Sequence, residues 1–333
     1  MACLYVVEQG AVLGREGHKL VVRKGQEVLQ ELPLQHVECV YIYGQVQVTT
    51  ALVHSLVALG SELVFLTADG RYCGRLLGRE SSRADLRLLQ YRRAEDESWR
   101  LAMAKQIVAA KLHNQRALLL RFSREYGLDG PGLVAERMKF FLGRAERSTK
   151  QSALMGIEGS GTALYFQGLR ALLPPELGFT RRVRRPPTDP ANVLLSLGYT
   201  LLGCLAESAV AAAGLDPYVG FLHSLAYGRA SLALDLMEEF RPLVVDSLVV
   251  RLLRRGEICA GDFCPGAGEQ PIRLGSEGLK KFLRAFSARM ETSLRHPVTG
   301  TQATYRRCLL LQAEEIRRTL ADDKPLYRAV LAR

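Results

Sequence analysis

Residues 94–127 read AEDESWRLAMAKQIVAAKLHNQRALLLRFSREYG, and at this stretch the hydrophobic period of the chain changes from two to that of a helix. It opens acidic and continues basic, as a long helix does when its first turn complements the dipole. Upstream the pattern is different. CLYVVEQG (3–10), KLVVRKG (19–25), EVLQEL (27–32), VECVYIYG (37–44), QVQVT (45–49), ELVFLTADG (62–70) and RYCGRLL (71–77) are short runs of period near two, divided by glycines. One helix interrupts them, TTALVHSLVALG (49–60), with Thr49 or Thr50 as N-cap and Gly60 as its stop.

Downstream, helices dominate: GPGLVAERMKFFLGRAERS (130–148), a run over 191–213 closed by GLDP, a run over 230–240, RPLVVDSLVVRLLRRG (241–256), SEGLKKFLRAFSARMETSLRH (276–296) and TYRRCLLLQAEEIRRTLAD (304–322). DFCPGAGEQPIRL (262–274) reads as a two-stranded interruption and RRVRRPPTDP (181–190) as a loop. The expected fold class is α+β. A small N-terminal β-domain of short strands occupies 1–82, a linker 83–93, a larger all-α domain 94–320 and a tail 321–333.

A chain of 333 residues, 48% hydrophobic and 24% charged, suits one large core or two ordinary ones and excludes disorder. Its 45 basic against 34 acidic residues give a net charge of +11, favouring a polyanionic partner, nucleic acid ahead of an anionic membrane surface. The seven cysteines (3, 39, 73, 204, 259, 264 and 308) are odd in number and scattered, which suits a reducing compartment. Cys259 and Cys264 alone are close, and their spacing reads as a hairpin, not a zinc site. The start, MACLYVVEQGAVLGREG, lacks the pattern of a signal peptide, so a cytoplasmic location is expected. ANVLLSLGYTLLGCLAESAVAAAGL (191–215) is long and apolar enough to raise a membrane span, but Glu207 inside it favours a buried central helix and no membrane partner.

The chemistry gathers in two places. In GFLHSLAYGRASLALDLMEEFRP (220–242), a helix over 230–240 would put Asp235, Glu238 and Glu239 on one face, with Leu232, Leu234, Leu236, Met237 and Phe240 leaving little room for a polar side. A solvated face is the ordinary reading of such carboxylates, and a satisfied core residue that of His223, on an apolar turn before the helix. In LMGIEGSGTALYFQGL (154–169), Glu158 lies between glycines ahead of a helix-like run, where backbone leaves room for a ligand; a plain loop residue is the alternative. Together Glu158, His223 and Glu238, with Asp235 adjacent, make an oxygen-rich set with one imidazole. It suits Mg²⁺ or Mn²⁺ better than Zn²⁺, and a divalent ion among basic helices is equipment for phosphodiester chemistry.

Four stretches carry a resemblance: AKQIVAAKLHNQRALLLR (104–121), LMGIEGSGTALYF (154–166), DPANVLLSLGYTLL (189–202) and GFLHSLAYGRASLALDLMEEFRPLVVD (220–246). In this order behind a domain of short strands, they resemble the CRISPR-associated spacer-acquisition integrase and endonuclease family, Cas1, over residues 3–310; past Thr304 the resemblance thins. It implies a metal held by Glu158, His223 and Glu238, with Asp235 in the place of a second acidic residue implicated in some members. Asp246 also matches the family pattern, a structural role being open.

The resemblance further implies a prokaryotic CRISPR adaptation integrase that inserts spacer DNA into the CRISPR array by 3′-hydroxyl attack at the repeat boundary. Its catalytic domain would be the helical one, and its partners spacer precursor and repeat DNA, a second copy paired through the β-domain, and a small ferredoxin-like Cas2 dimer. Transesterification needs no ATP, and no P-loop motif is present. Phosphate contacts are expected from Arg181, Arg182, Arg184 and Arg185, from Arg251, Arg254 and Arg255, and from Lys280, Lys281 and Arg284. A general metal-dependent nuclease on branched DNA and a non-catalytic DNA-binding scaffold are the competing readings.

Overall fold

The computed structural model describes residues 2–76, 78, 83–184, 186–264 and 272–332. The chain divides into two compact units, one of residues 1–80 with 274–283 and the other of residues 81–273 with 284–333.

The first unit is built from the runs of period two. β1 (Ala2–Val6), β5 (Val37–Tyr43), β7 (Glu62–Leu66) and β8 (Tyr72–Leu76) form one sheet in the order β1-β5-β7-β8. In it β1, β5 and β7 run parallel and β8 returns antiparallel. β2 (Val12–Glu16), β3 (Lys19–Lys24), β4 (Glu27–Pro33) and β6 (Gln47–Val48) form a second, in the order β4-β3-β2-β6. Alternation sends Leu4, Val6, Val40, Ile42 and Leu63 from one sheet, and Leu13, Leu20 and Val22 from the other, into a common core. Leu52 and Leu56 of the short helix α1 (Thr50–Ala58) fill the same core. Thr49 is the N-cap, although its hydroxyl makes no cap bond, and Gly60 follows the helix end.

The second unit is helical: α2 (Ala84–Glu95), α3 (Glu97–Tyr126), α4 (Asp129–Glu146), α5 (Gln151–Leu172), α6 (Pro190–Ala212), α7 (Ser231–Met237), a π-helical turn at Arg241–Asp246, and α8 (Ser247–Arg254). β9 (Phe263–Cys264) pairs with β10 (Arg273–Leu274); the segment 265–271 of the expected two-stranded element lies outside the described residues. α9 (Ser276–Met290), a hairpin of β11 (Ser293–Arg295) and β12 (Gln302–Thr304), and α10 (Tyr305–Thr319) complete the order.

Three boundaries differ from the sequence reading. The segment 83–93, expected as a linker, is helical from Ala84 in α2, where buried Gln90 donates to the carbonyls of Asp216 at 2.9 Å and Val219 at 2.8 Å. The helix expected over 276–296 stops at Met290, and SLR is strand β11. The expected tail, described to Ala332, packs against the helical unit. Trp99 Nε1 donates to Asp322 O, Gln106 Nε2 to Pro325 O, and Tyr327 and Val330 are buried.

α6 has the length and hydropathy of a membrane-crossing helix, yet 67% of its most apolar window is buried inside the protein, so it is the core helix its Glu207 suggests. Asp189 caps it by accepting from Asn192 N at 2.9 Å. Cys259 and Cys264 are free and exposed.

Candidate metal centre

Glu158, His223 and Glu238 come from three separate segments of the helical unit. Glu158 sits inside α5, not in a loop ahead of it, and Gly156, Gly159 and Gly161 are all helical. Each such glycine costs a helix about 1 kcal/mol against alanine, and packing supplies the reason at Gly161. A Cβ there would come within 2.7 Å of the Leu112 Cδ2 methyl and 3.4 Å of Phe141, so glycine lets α5 lie this close on α3 with Leu112 where it stands. That approach brings Glu158 to Lys111, the residue before Leu112. Glu158 Oε1 accepts from Lys111 Nζ and, at 3.1 Å, from Thr162 Oγ1.

His223 is aimed by Asp235. Asp235 Oδ2 accepts from the backbone N–H of Phe221 at 2.6 Å and Leu222 at 2.9 Å, while Oδ1 accepts from His223 N at 3.0 Å and His223 Nδ1 at 2.7 Å. Gly220 makes this possible, because a Cβ there would meet Asp235 Oδ2 at 2.7 Å. Both oxygens accept two hydrogen bonds each, and one of these orients the imidazole. Nδ1 faces this carboxylate, so Nε2 is the ring nitrogen turned away from Asp235.

Glu238 is 2% exposed and surrounded by cations. Its Oε2 lies 2.7 Å from Lys111 Nζ and its Oε1 3.3 Å from Arg241. The Lys111 contact is an ion pair outside hydrogen-bond alignment, and Glu238 Oε2 accepts no aligned hydrogen bond. Burial alone raises this carboxyl, but Arg241, Lys111 and His223 outweigh it and hold it down at about 2.

Asp235, Glu238 and Glu239 do not share a solvated face; all three are buried and point to different partners. α7 ends at Met237, and Glu238 and Glu239 form a tighter turn in which Glu238 N donates to Asp235 O at 3.3 Å. Glu239 turns to the C-terminal segment. Its Oε1 accepts from Tyr327 Oη at 2.8 Å and Gln312 Nε2 at 3.0 Å, and its Oε2 from Val330 N at 2.9 Å. Burial pushes it up to about 8, against the pull of these neutral donors. Asp246 is likewise packed away, accepting from Tyr165 Oη at 2.6 Å and from Tyr199 Oη; burial pushes it up to about 6 despite the two tyrosines, Arg241 and Arg182.

Sequence reasoning missed Lys111, which lies in the quoted stretch 104–121 but resembles any helix lysine. In the fold it is 5% exposed and bridges Glu158 and Glu238. The donor set fits a hard divalent ion: two carboxylates, one of them with an oxygen lacking an aligned donor, and a free imidazole nitrogen. Among the described residues no three His, Cys, Asp or Glu side chains stand close enough to hold an ion as they are placed. Lys111 occupies the space between the two glutamates.

The basic candidates divide. Arg182 is committed to its own loop, donating to Asn192 Oδ1 at 2.8 Å and Ser196 Oγ at 2.9 Å. Arg181 and Arg184 are exposed, and Arg185 lies outside the described residues. Arg251 and Arg254 lie over Phe122 and Tyr126, at 5.7 and 4.7 Å from the ring centres. Arg255 is 3.9 Å from Glu257, and Lys280 is paired with Glu277 at 2.8 Å. Lys280 and Lys281 belong to the first unit and Arg284 to the second. Two further arginines join Arg251. Arg121 lies 4.7 Å over Phe122, and its guanidinium is shifted down by burial and by Arg251. Arg289 lies 4.8 Å over Tyr305 and is shifted down by burial, with Arg251 and Arg121 adding to it. Among the described residues no carboxylate lies within 4.0 Å of Arg121, Arg251 or Arg254.

The family profile described as CRISPR associated protein Cas1 matches residues 4–288. The chain is 42% identical over 332 residues to the CRISPR-associated endonuclease Cas1 3 of Thermus thermophilus, covering 99% of this chain and 97% of that protein. Among solved structures it superposes on a casposase bound to integration product with a TM-score of 0.86 at 25% identity, over 97% of this chain and 92% of that one. A Cas6-RT-Cas1–Cas2 complex gives 0.84 at 26% identity, over 99% of this chain and 36% of that one.

Proposed function

This chain belongs to the CRISPR-associated Cas1 family, and from that premise we propose that it is a divalent-metal-dependent DNA endonuclease and integrase. It joins the 3′-hydroxyl of a spacer fragment to a phosphodiester at a CRISPR repeat boundary. The observation that carries this reading is the buried meeting of Glu158 and Glu238 on one cation, beside an imidazole that Asp235 aims. The likeness to a casposase holding its integration product supports strand joining over simple cutting.

Glu158, Glu238 and His223 Nε2 would hold the ion, Mg²⁺ or Mn²⁺, which supplies Lewis acidity at the scissile phosphate. The remaining work belongs to the chain. Asp235 keeps the imidazole in one tautomer and one orientation. Arg241, 3.3 Å from Glu238, and Lys111 bring fixed positive charge to the point where the transition state gains negative charge. One P–O ester bond forms as another breaks, so the bond count is conserved and no nucleotide is consumed.

Arg121, Arg251 and Arg254, stacked on aromatic rings and without carboxylate partners, are placed for the phosphate backbone. Tyr218 and Tyr227, exposed on the loops before and after His223, offer faces for unpaired bases. The likeness to the Cas6-RT-Cas1–Cas2 complex supports a Cas2 partner. Pairing of two copies through the first unit fits edge strand β4, which exposes Val28 and Leu29.

The test incubates the protein, its small partner, a short duplex and a supercoiled plasmid carrying a repeat, with and without a chelator. Joined strands that vanish with chelator and with Glu158→Ala are expected. Cut ends alone would leave a general nuclease, and activity indifferent to both would leave a scaffold.

A further inference from the structure

Lys111 stands between the two glutamates that the ion-binding reading assigns to the ion. It rises from α3, is 5% exposed, and its ammonium touches Glu158 Oε1 and lies 2.7 Å from Glu238 Oε2. A buried lysine needs acidic partners, and buried carboxylates need a cation. Here each satisfies the other. Counting charge, Glu158 and Glu238 give −2, while Lys111 and Arg241 give +2. These four groups balance one another before any ion arrives, with the Asp235–His223 pair beside them, and Lys111 and Arg241 flank Glu238 at 2% exposure.

The geometry points to Lys111 as a built-in placeholder: a resident cation that holds the two glutamates in the ion-free protein and competes with the divalent ion for them. Both cations need the same oxygens, since Glu238 Oε2 faces the ammonium and Glu158 Oε1 is shared between Lys111 and Thr162. When the ion takes the carboxylates, the ammonium loses its partners in a site that has gained two positive charges. An anion restores the balance, and the phosphodiester of DNA is the anion this site meets. Ion binding and DNA binding are therefore coupled positively, each tightening the other by the same factor. This rests on the reading of Glu158, His223 and Glu238 as the ion site.

Titration calorimetry of the full chain with Mn²⁺ alone, on wild type and Lys111→Met, tests it. The variant is expected to bind Mn²⁺ on the order of tenfold more tightly, because the competitor is gone and Glu158 and Glu238 have lost the cation they share. A short DNA duplex is expected to tighten Mn²⁺ binding to wild type, and to do so less for the variant. If Lys111→Met does not fold in chelator, Mn²⁺ is expected to restore a cooperative melting transition, a rescue wild type does not need. Mn²⁺ bound by both proteins with equal affinity, or more weakly by the variant, overturns the placeholder while leaving the ion site standing. No Mn²⁺ bound by either protein overturns both, and so does a variant that stays unfolded at every ion concentration while Lys111→Arg folds.

Discussion

Glu238 and Glu239 are adjacent, equally buried at 2% exposure, and opposite in every other respect. Glu238 faces Lys111 and Arg241 and is held at about 2; Glu239 faces Tyr327, Gln312 and a backbone N–H and is pushed up to about 8. Burial penalises both carboxylates, so the difference lies in what surrounds them. Fixed cations keep one charged and ready to take a divalent ion, whereas neutral donors make the other a joint that fastens the C-terminal segment. Asn114 strengthens that joint, donating to Glu239 O and Val330 O at 2.8 Å each. A carboxylate held charged in the interior marks chemistry here, and a carboxyl satisfied by neutral groups marks architecture.

The comparison breaks most sharply in strand joining. Glu238→Gln is expected to lower the joining rate by about three orders of magnitude, and Glu239→Gln by less than about tenfold, with metal and partner saturating. Equal losses would erase the distinction. Next comes stability. Glu239→Ala leaves Tyr327 Oη and Val330 N without their acceptor, takes one of the acceptors of Gln312, and is expected to cost about 3 kcal/mol or more in urea unfolding. Cleavage of the C-terminal segment under limited proteolysis should accompany it.

Asp246 sharpens the comparison through pH. Its folded carboxyl is pushed up to about 6, while the unfolded chain releases that proton near the ordinary value of about 4. The folded protein thus binds more protons between these values, and its stability relative to Asp246→Asn falls as pH rises from about 4 to 6, by about 2–3 kcal/mol in all. A difference that stays level across that window would show Asp246 ionised throughout. The smallest effect is at the arginines. Arg251→Gln is expected to weaken DNA binding severalfold and to reduce the slope of log affinity against log salt by about one.

Much of this was legible in the residues. Period two with glycine breaks marked the first unit, and the change at 94–127 marked the helices. Glu158, His223 and Glu238 stood out as chemistry, but their surroundings did not. Glycines around Glu158 read as a loop because isolated glycine weakens a helix, whereas packing of Gly161 on Leu112 overrides that propensity. The one-face arrangement of Asp235, Glu238 and Glu239 assumed an unbroken α-helix, whereas α7 ends at Met237 and the two glutamates form a turn. Lys111 was invisible because its partners lie 47 and 127 residues away along the chain, and no local pattern records such a meeting. The C-terminal segment escaped for the same reason: Tyr327 and Val330 matter only through Glu239.

The most direct measurement is anomalous diffraction from crystals of the protein soaked in Mn²⁺. A single peak about 2.0–2.3 Å from a Glu158 oxygen, a Glu238 oxygen and His223 Nε2 is the expected result. An empty site, or manganese bound elsewhere while Lys111 still bridges the two glutamates, would contradict it.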